Sequence, residues 1–170
     1  MTFNEAINTI KSSMDREEKE KVLIPTVLIF MAKQNLRLDK KEFNRLYNKR
    51  TPDEILQSGF VTGCTDEAIL FSALIRGLGF KDTFFVETLS RRWVESPAEE
   101  GGPIYGHTFV FVGDYLVDPS KKVVFIDGRT IERDWVVLGK KIELTEFGFH
   151  NAEILKKECR LFKANYKRQN

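Results

Sequence analysis

Cysteine and histidine are scarce in this sequence of 170 residues, which contains two of each. Two cysteines, Cys64 and Cys159, cannot build the disulfide framework that is typical of small secreted domains. The histidines are His107 and His150, and no CxxC or HxxxH spacing occurs, so the usual zinc-binding motifs are absent from the sequence. We therefore expect neither a metal nor another cofactor.

The sequence also contains neither a strong excess of one charge nor a long hydrophobic run. The 27 Lys and Arg side chains nearly balance the 25 Asp and Glu side chains, for a formal net charge of +2. Such a chain has no overall field that would drive binding to a membrane surface. The most apolar run, 22–32, is about half as long as a membrane-spanning helix, and the acidic stretch before it is unlike the basic prefix of a secretory signal. We expect a cytoplasmic protein with no membrane partner.

Hydrophobic residues make up 42% of the chain, and 14 of its residues are Phe. One domain with a sizeable core can therefore form over residues 1–170. We divide this domain into a helical N-terminal extension over 1–50, a core over 51–140 and a C-terminal helix within 141–170. The order of a helical front, a central helix and then clustered strands predicts an α+β fold.

The N-terminal extension is predicted to hold two helices, a polar one over 3–20 and a buried one over 25–36 with Pro25 in its first turn. A basic stretch over 33–50 follows, and its interleaved apolar residues indicate a helix with a solvated basic face. A nucleic-acid-binding patch is the alternative for these charges, and it would show as a steep salt dependence. Because the net charge is close to zero, we do not expect nucleic acid as a partner.

The core begins with strong helix signals. Thr51 and Pro52 are typical of an N-cap and a first-turn proline, and this helix is predicted to end near Gly59. The next helix, over 64–78, is apolar on nearly all sides, which predicts a central buried helix. The predicted strands after it are 83–88, 106–112, 115–118, 122–126 and 135–138, and Asn151 is predicted to cap a final helix to about Tyr166.

A long polar loop over 90–105 joins the first of these strands to the second. Loops of this length inside compact domains are often functional. Trp93 and Tyr105 lie in the loop, which leads into the strand that carries His107, and we expect both to form one wall of a substrate-binding cleft or a lid over it. The alternative is a solvated connection with one aromatic side chain tucked inward.

Cys64 stands at the start of the buried helix, directly after Gly63. Backbone N–H groups and the helix dipole at that position favour a thiolate, the nucleophilic form of cysteine. Gly63 would let a substrate carbonyl approach the backbone. Asp66 and Glu67 in the same turn oppose thiolate formation, and a buried structural cysteine is the alternative.

The predicted hairpin adds a possible base and its partner. If Gly113 and Asp114 form a two-residue turn, His107 and Asp118 become diagonal neighbours on one face, about 7 Å or less apart at Cβ. A carboxylate there would fix the imidazole tautomer and stabilise the imidazolium. A three-residue loop would shift the register by one and move Asp118 to the other face.

Three separated blocks of the sequence form one pattern. Gly63 and Cys64 open the buried helix, and a His and an Asp follow on later strands; the matching residues are Gly63, Cys64, Asp66, Ala68, Leu74, Arg76, Gly79, His107, Phe109 and Asp118. The pattern resembles that of the transglutaminase-like cysteine enzymes, in which GxCxDxA continues to LxRxxG before a strand. The resemblance covers residues 51–120.

This resemblance implies a papain-like core in which the helix that carries Cys64 packs on an antiparallel sheet. It also implies that Cys64 attacks a carbonyl carbon, that His107 takes and returns the proton, and that Asp118 orients His107. The backbone N–H of Cys64 would help to hold the oxyanion, with a second donor from either Gln57 or Tyr47.

The leading hypothesis is a peptidase or amidase that forms an acyl-enzyme at Cys64 on a peptide or protein amide. An amine acceptor in place of water would make the protein a transglutaminase. A catalytically inactive binding module on the same fold is a further alternative, as is a metal site built from Cys64, His107 and Asp118. Departures from the family's pattern at Glu67, Phe109 and Phe111 bear on the class of substrate.

Overall fold

The computed structural model describes residues 1–13, 19–97 and 102–169. The helices are α1 (Phe3–Ser13), α2 (Lys19–Lys33), α3 (Phe43–Leu46), α4 (Pro52–Ser58), α5 (Cys64–Gly77), α6 (Arg91–Glu95) and α7 (Ala152–Gln169). The strands are β1 (Arg37–Leu38), β2 (Phe60–Val61), β3 (Thr83–Ser90), β4 (Gly106–Val112), β5 (Tyr115–Asp118), β6 (Val123–Phe125) and β7 (Trp135–Lys141). A five-stranded antiparallel sheet has the order β6-β5-β4-β3-β7, and β1 pairs with β2 in parallel. The α+β prediction is confirmed.

The helix predicted to be central and buried is α5. Its apolar side chains pack on α1, α2 and α4 on one side and on β3 and β4 on the other; the fully buried ones are Ala68, Leu70, Phe71, Leu74 and Ile75. Each buried Leu, Ile or Phe contributes about 1.5–3 kcal/mol relative to an exposed one. This packing holds the helix in place, and with it the position of its first residue, Cys64.

The helix start predicted at the beginning of the core, at Thr51, is confirmed. The Thr51 side chain accepts a hydrogen bond from the Glu54 N–H, and the Glu54 side chain accepts one from the Thr51 N–H, which completes a capping box. The helix ends at Gly59, which adopts the left-handed conformation with φ +70°. Local signals were sufficient here because capping and termination involve only neighbouring residues.

The predicted hairpin register is also confirmed. Val112 pairs with Tyr115 and Val110 with Val117, so a two-residue turn joins β4 to β5. Gly113 in this turn has φ +57°, a conformation that favours glycine. His107 and Asp118 consequently share one face of the sheet.

The N-terminal extension differs from its prediction. Helix α1 ends at Ser13, and residues 14–18 of the predicted 3–20 helix lie outside the described residues. Helix α2 begins at Lys19, so Pro25 lies in its interior and the first-turn prediction is wrong. An interior proline costs about 3 kcal/mol, which burial of side chains such as Val27 and Met31 against the core offsets.

The stretch over 33–50 does not form the single basic helix that its pattern predicts. Its parts are β1, a 3₁₀ turn at Lys40–Glu42 and α3. Arg37 and Leu38 extend because they pair with β2, a partner more than 20 residues along the chain that periodicity cannot reveal. Arg50 is buried rather than solvated.

The region over 90–105 is not wholly a loop. Ser90 caps the short helix α6, whose Val94 is buried, and residues 98–101 lie outside the described residues. Strand β3 also extends to Ser90, two residues beyond its prediction. The final helix is confirmed: Asn151 accepts a hydrogen bond from the Ile154 N–H at 2.9 Å. Among the described helices, none has the length and apolar character needed to cross a membrane.

Candidate active site

Cys64 borders a cavity of about 220 Å³ between α5, the sheet and α7. The cavity has an apolar half from Phe43, Leu89, Ile104, Leu138 and Leu155, and a polar half from Tyr47, Cys64, Thr65, Glu87, His107 and Thr108. The structure therefore brings together the predicted nucleophile and the predicted base in one partly enclosed space.

His107 and Asp118, the predicted base and its orienting carboxylate, are in contact. Nε2 of His107 lies 2.9 Å from Oδ2 of Asp118; the Asp118 side chain is buried and that of His107 is 10% exposed. The ring N–H is not directed straight at this oxygen, so the contact is an ion pair rather than a well-aligned hydrogen bond. The other carboxylate oxygen accepts hydrogen bonds from Ser120 N and Oγ and from Lys121 N, at 2.8–3.1 Å. These bonds fix the carboxylate, and since Nε2 faces Asp118, Nδ1 is the ring nitrogen left for Cys64.

The surroundings of His107 favour its protonated form. Burial by itself lowers the pKa of His107, but the interactions with Asp118 and with Cys64 outweigh burial and raise this pKa to about 9. Burial likewise raises the pKa of Asp118, and the interaction with His107 reverses that effect, so the pKa of Asp118 is lowered overall. At neutral pH the site therefore holds an imidazolium beside Cys64, which is the arrangement that favours a thiolate.

The two acids that follow Cys64 are both paired with cations. Oδ2 of Asp66 lies 2.9 Å from the Arg50 guanidinium and also accepts hydrogen bonds from Thr62 N and Oγ1. The Glu67 carboxylate lies 3.0 Å from Nζ of Lys122. Burial raises the pKa of Glu67, and the Lys122 ammonium works against that rise. Because each carboxylate has a neighbouring cation, these acids oppose a negative charge on Cys64 less than the sequence alone suggests.

The open space next to Cys64 comes from Gly63. The φ of Gly63 is 169°, extended backbone that any residue adopts, and an added Cβ would lie 3.8 Å from the nearest atom, in the Phe43 ring. Neither backbone conformation nor packing therefore requires glycine here. As the first residue of α5, Cys64 has an N–H with no acceptor inside the helix.

Of the two candidates for a second oxyanion donor, only Tyr47 lies at the cavity. Burial raises the pKa of Tyr47, and negative charge on Glu87 and Cys64 adds to that rise, so its hydroxyl keeps its proton and can donate it in a hydrogen bond. Gln57 is exposed and lies beside Lys49 on another surface. The structure does not bring Gln57 to the site.

Trp93 and Tyr105 lie outside the Cys64 cavity. Both line a neighbouring groove of about 550 Å³, where Nζ of Lys163 lies 4.5 Å from the centre of the Trp93 ring. Tyr105 is exposed, although the residues on either side of it, Ile104 and Gly106, line the cavity. Their part in substrate binding stays a prediction.

Sequence reasoning missed three residues that shape the site: Glu87, Thr108 and Arg50. Glu87 interrupts the apolar run of β3, and Asp66 interrupts the apolar helix α5; a buried acid of this kind needs a polar partner. That signal indicates that polar partners exist but does not identify the residues. The partner of Glu87 is Thr108, across the β3–β4 pair, and that of Asp66 is Arg50, in the segment between α3 and α4.

Among the described residues, no group of three His, Cys, Asp or Glu side chains lies close enough to hold a metal ion. A metal site at Cys64, His107 and Asp118 would require such a group. The arrangement of these three residues is instead a chain of pairwise contacts from thiol to imidazole to carboxylate.

Comparisons with protein-family models, with curated proteins and with solved structures find no match to this chain. The resemblance to transglutaminase-like enzymes therefore depends on the motif residues.

Proposed function

We propose that this protein is a cysteine-dependent amide hydrolase in which Cys64 forms an acyl-enzyme, within a papain-like core. The contact that carries the proposal is that of Nε2 of His107 with Oδ2 of Asp118, 2.9 Å apart, at a cavity that opens on Cys64. This contact leaves Nδ1 for the thiol and stabilises the imidazolium. The order nucleophile, base and orienting carboxylate is that of a catalytic triad.

The proposed reaction begins with a Cys64 thiolate beside the protonated His107. The thiolate attacks the carbonyl carbon, a C–S bond forms, and the negative charge moves to the carbonyl oxygen. The N–H of Cys64 donates a hydrogen bond to that oxygen, and the Tyr47 hydroxyl is the nearest candidate for a second one. When the C–N bond breaks, His107 gives its proton to the leaving amine.

Hydrolysis completes the proposed cycle. Water attacks the thioester carbon while His107 removes one of its protons, and the C–S bond breaks to release a carboxylic acid and to restore the Cys64 thiolate beside the protonated His107. An amine in place of water would transfer the acyl group to that amine by the same steps. Asp118 keeps the imidazole oriented throughout and stabilises its charged form.

The size of the cavity limits the acyl group. Pockets for drug-sized ligands measure about 300–1,000 Å³, and this cavity measures about 220 Å³. One amino-acid side chain or a short acyl chain fits that volume, with its methylene groups against the apolar half. The proposed substrate is thus an amide whose acyl part is small.

The test is detection of the acyl-enzyme by mass spectrometry. The protein is mixed with a set of short acyl amides and thioesters, quenched in acid, and digested to locate the adduct. We expect the acyl mass on Cys64 in the wild type and in Cys159→Ser, and none in Cys64→Ser. Failure of every acyl donor to modify Cys64 would contradict the proposal and favour a binding module on the same fold.

A further inference from the structure

A buried carboxylate lies behind the nucleophile, on the side away from Asp118. We propose that Glu87 is a positioning residue that acts through the Thr108 hydroxyl, so that protonated Glu87 turns this hydroxyl toward the Cys64 thiolate and ionised Glu87 turns it away. The inference rests on the proposed function, in which that thiolate is the nucleophile. It adds a control of the nucleophile that the Cys64, His107 and Asp118 triad does not contain.

The contacts form a continuous chain. Glu87 and Thr108 are paired across β3 and β4, and Oγ1 of Thr108 lies 3.0 Å from Oε1 of Glu87. The same hydroxyl oxygen lies 3.8 Å from Sγ of Cys64, within hydrogen-bond range for sulfur, and 3.2 Å from Oγ1 of Thr65. Glu87, Thr65 and Thr108 are buried, so direct contacts of this kind set their protonation and orientation.

Thr108 has one hydroxyl proton, and Glu87, Cys64 and Thr65 are the acceptors within its reach. An ionised Glu87 can only accept, so it takes the Thr108 proton in a hydrogen bond and leaves oxygen lone pairs facing Cys64. Lone pairs favour the protonated thiol. A protonated Glu87 donates to Thr108 instead, and the Thr108 proton is then free for the thiolate.

Thr65 Oγ1 lies 3.2 Å from the Thr108 hydroxyl oxygen, and either oxygen of this pair can be the donor. The Thr65 hydroxyl also interacts with Tyr47, which lines the same cavity. Thr65 therefore has a second partner, whichever way the Thr108 proton points.

The charges around Glu87 allow both of its protonation states near neutral pH. Among the described residues Glu87 forms no ion pair, and the titratable groups at the cavity are His107 on β4, Cys64 on α5, Tyr47 after α3, and Lys156 and Cys159 on α7, with apolar Leu138 from β7. Burial raises the pKa of Glu87 to about 7, while the Thr108 hydrogen bond and the His107 charge work against the rise. Small changes of pH therefore reverse the direction of the hydrogen bonds.

The experiment measures the rate at which iodoacetamide labels Cys64 between about pH 5.5 and 9, in a Cys159→Ser background. The variants are Glu87→Gln, Thr108→Val, their combination and His107→Ala. The Gln amide donates to Thr108 at every pH and so imitates the protonated Glu87. Glu153→Gln is the control, because it removes the same charge from an exposed position on α7.

We expect Glu87→Gln and the wild type to label equally at about pH 6 and to diverge above about pH 7, where Glu87→Gln labels up to about tenfold faster. Thr108→Val removes the hydroxyl at nearly constant volume, and in that background Glu87→Gln is expected to change nothing. A Glu87→Gln profile that is parallel to the wild type at all pH values would overturn the inference. So would an undiminished effect of Glu87→Gln in the Thr108→Val background, because the charge would then act without Thr108.

The His107→Ala variant separates this inference from the proposed function. If His107→Ala slows labelling while Glu87→Gln has no effect, the triad stands and the role of Glu87 is wrong. If His107→Ala leaves labelling unchanged, the proposed function itself fails. Thr108→Ser keeps the hydroxyl, so in that background Glu87→Gln should still change the rate at which Cys64 is labelled. This variant provides a second comparison if Thr108→Val unfolds.

Discussion

Nε2 of His107 lies 2.9 Å from Oδ2 of Asp118, on adjacent antiparallel strands and two residues out of direct register. The two-residue turn at Gly113 and Asp114 creates this relationship, because it sets which faces the following residues occupy. Ser120 and Lys121 donate hydrogen bonds to the other oxygen of this carboxylate, Oδ1. A short stretch of chain thus brings an imidazole and a fixed acceptor together at the edge of the Cys64 cavity.

Asp118→Asn should lower the pKa of His107. The wild-type value of about 9 depends on interactions with Asp118 and Cys64 that oppose burial, and an amide removes the charged partner while it keeps the volume. We expect the His107 ring resonances to titrate near pH 9 in the wild type and at least one unit lower in the variant. An NMR titration measures this shift, and equal midpoints in the two proteins would contradict it.

The same pair should make stability depend on pH in a defined window. The folded pKa of His107 is raised, so its contribution is complete below the unfolded value of about 6.5 and is lost as pH rises through about 9. The folded pKa of Asp118 is lowered, so its contribution is lost only in acid. We expect urea unfolding to show that the free energy of unfolding of the wild type exceeds that of Asp118→Asn by about 2 kcal/mol at about pH 6. This difference should shrink toward pH 9.5. A difference that grows with pH would be evidence against the pair.

Removal of the Arg50 charge should destabilise the fold strongly. Its guanidinium contacts Asp66 at 2.9 Å with both side chains buried, and it also donates to the carbonyls of Glu54 and Phe60. Arg50→Met leaves the Asp66 carboxylate buried and unpaired, at a cost of about 3–5 kcal/mol. The matched control is Arg129→Met, which breaks an exposed pair with Asp127 and should change the urea midpoint very little.

Gly63→Ala should separate folding from reactivity. The backbone at Gly63 suits any residue, and the added Cβ meets only the Phe43 ring at ordinary contact distance. We therefore expect an unchanged urea midpoint together with at least tenfold slower formation of the acyl-enzyme, since the methyl group occupies the path of the carbonyl. Gly59→Ala provides the converse control, because φ +70° strains any side chain there and costs about 1 kcal/mol. Normal acylation by Gly63→Ala would show that the carbonyl does not approach through this space.

Local sequence signals were sufficient for the parts of the molecule that local chemistry determines. Thr51 and Gly59 bound a helix through capping and a left-handed turn, and Gly113 sets the hairpin register. The prediction that Pro25 lies in the first turn of its helix is wrong because burial of α2 against the core overrides the preference of proline for that turn. Trp93 lies away from the cavity because it is part of α6, and the polar composition of this stretch predicts a loop rather than a helix.

The deeper part of the site depends on contacts between distant residues. Glu87 meets Thr108 only because β3 pairs with β4, and Arg50 meets Asp66 only because the chain before α4 crosses the start of α5. A sequence pattern indicates that such buried polar residues need partners. Three-dimensional packing decides which partners they receive.

The most direct test of the proposed triad is site-resolved labelling by iodoacetamide at about pH 6.5, where an ordinary thiol reacts slowly. Cys159 is an internal reference, because burial, with a smaller contribution from Glu87, raises its pKa to about 12. The proposed triad predicts rapid labelling of Cys64, no labelling of Cys159, and at least tenfold slower labelling of Cys64 in His107→Ala. Labelling of Cys64 at the rate of free cysteine, and at the same rate without His107, would contradict it.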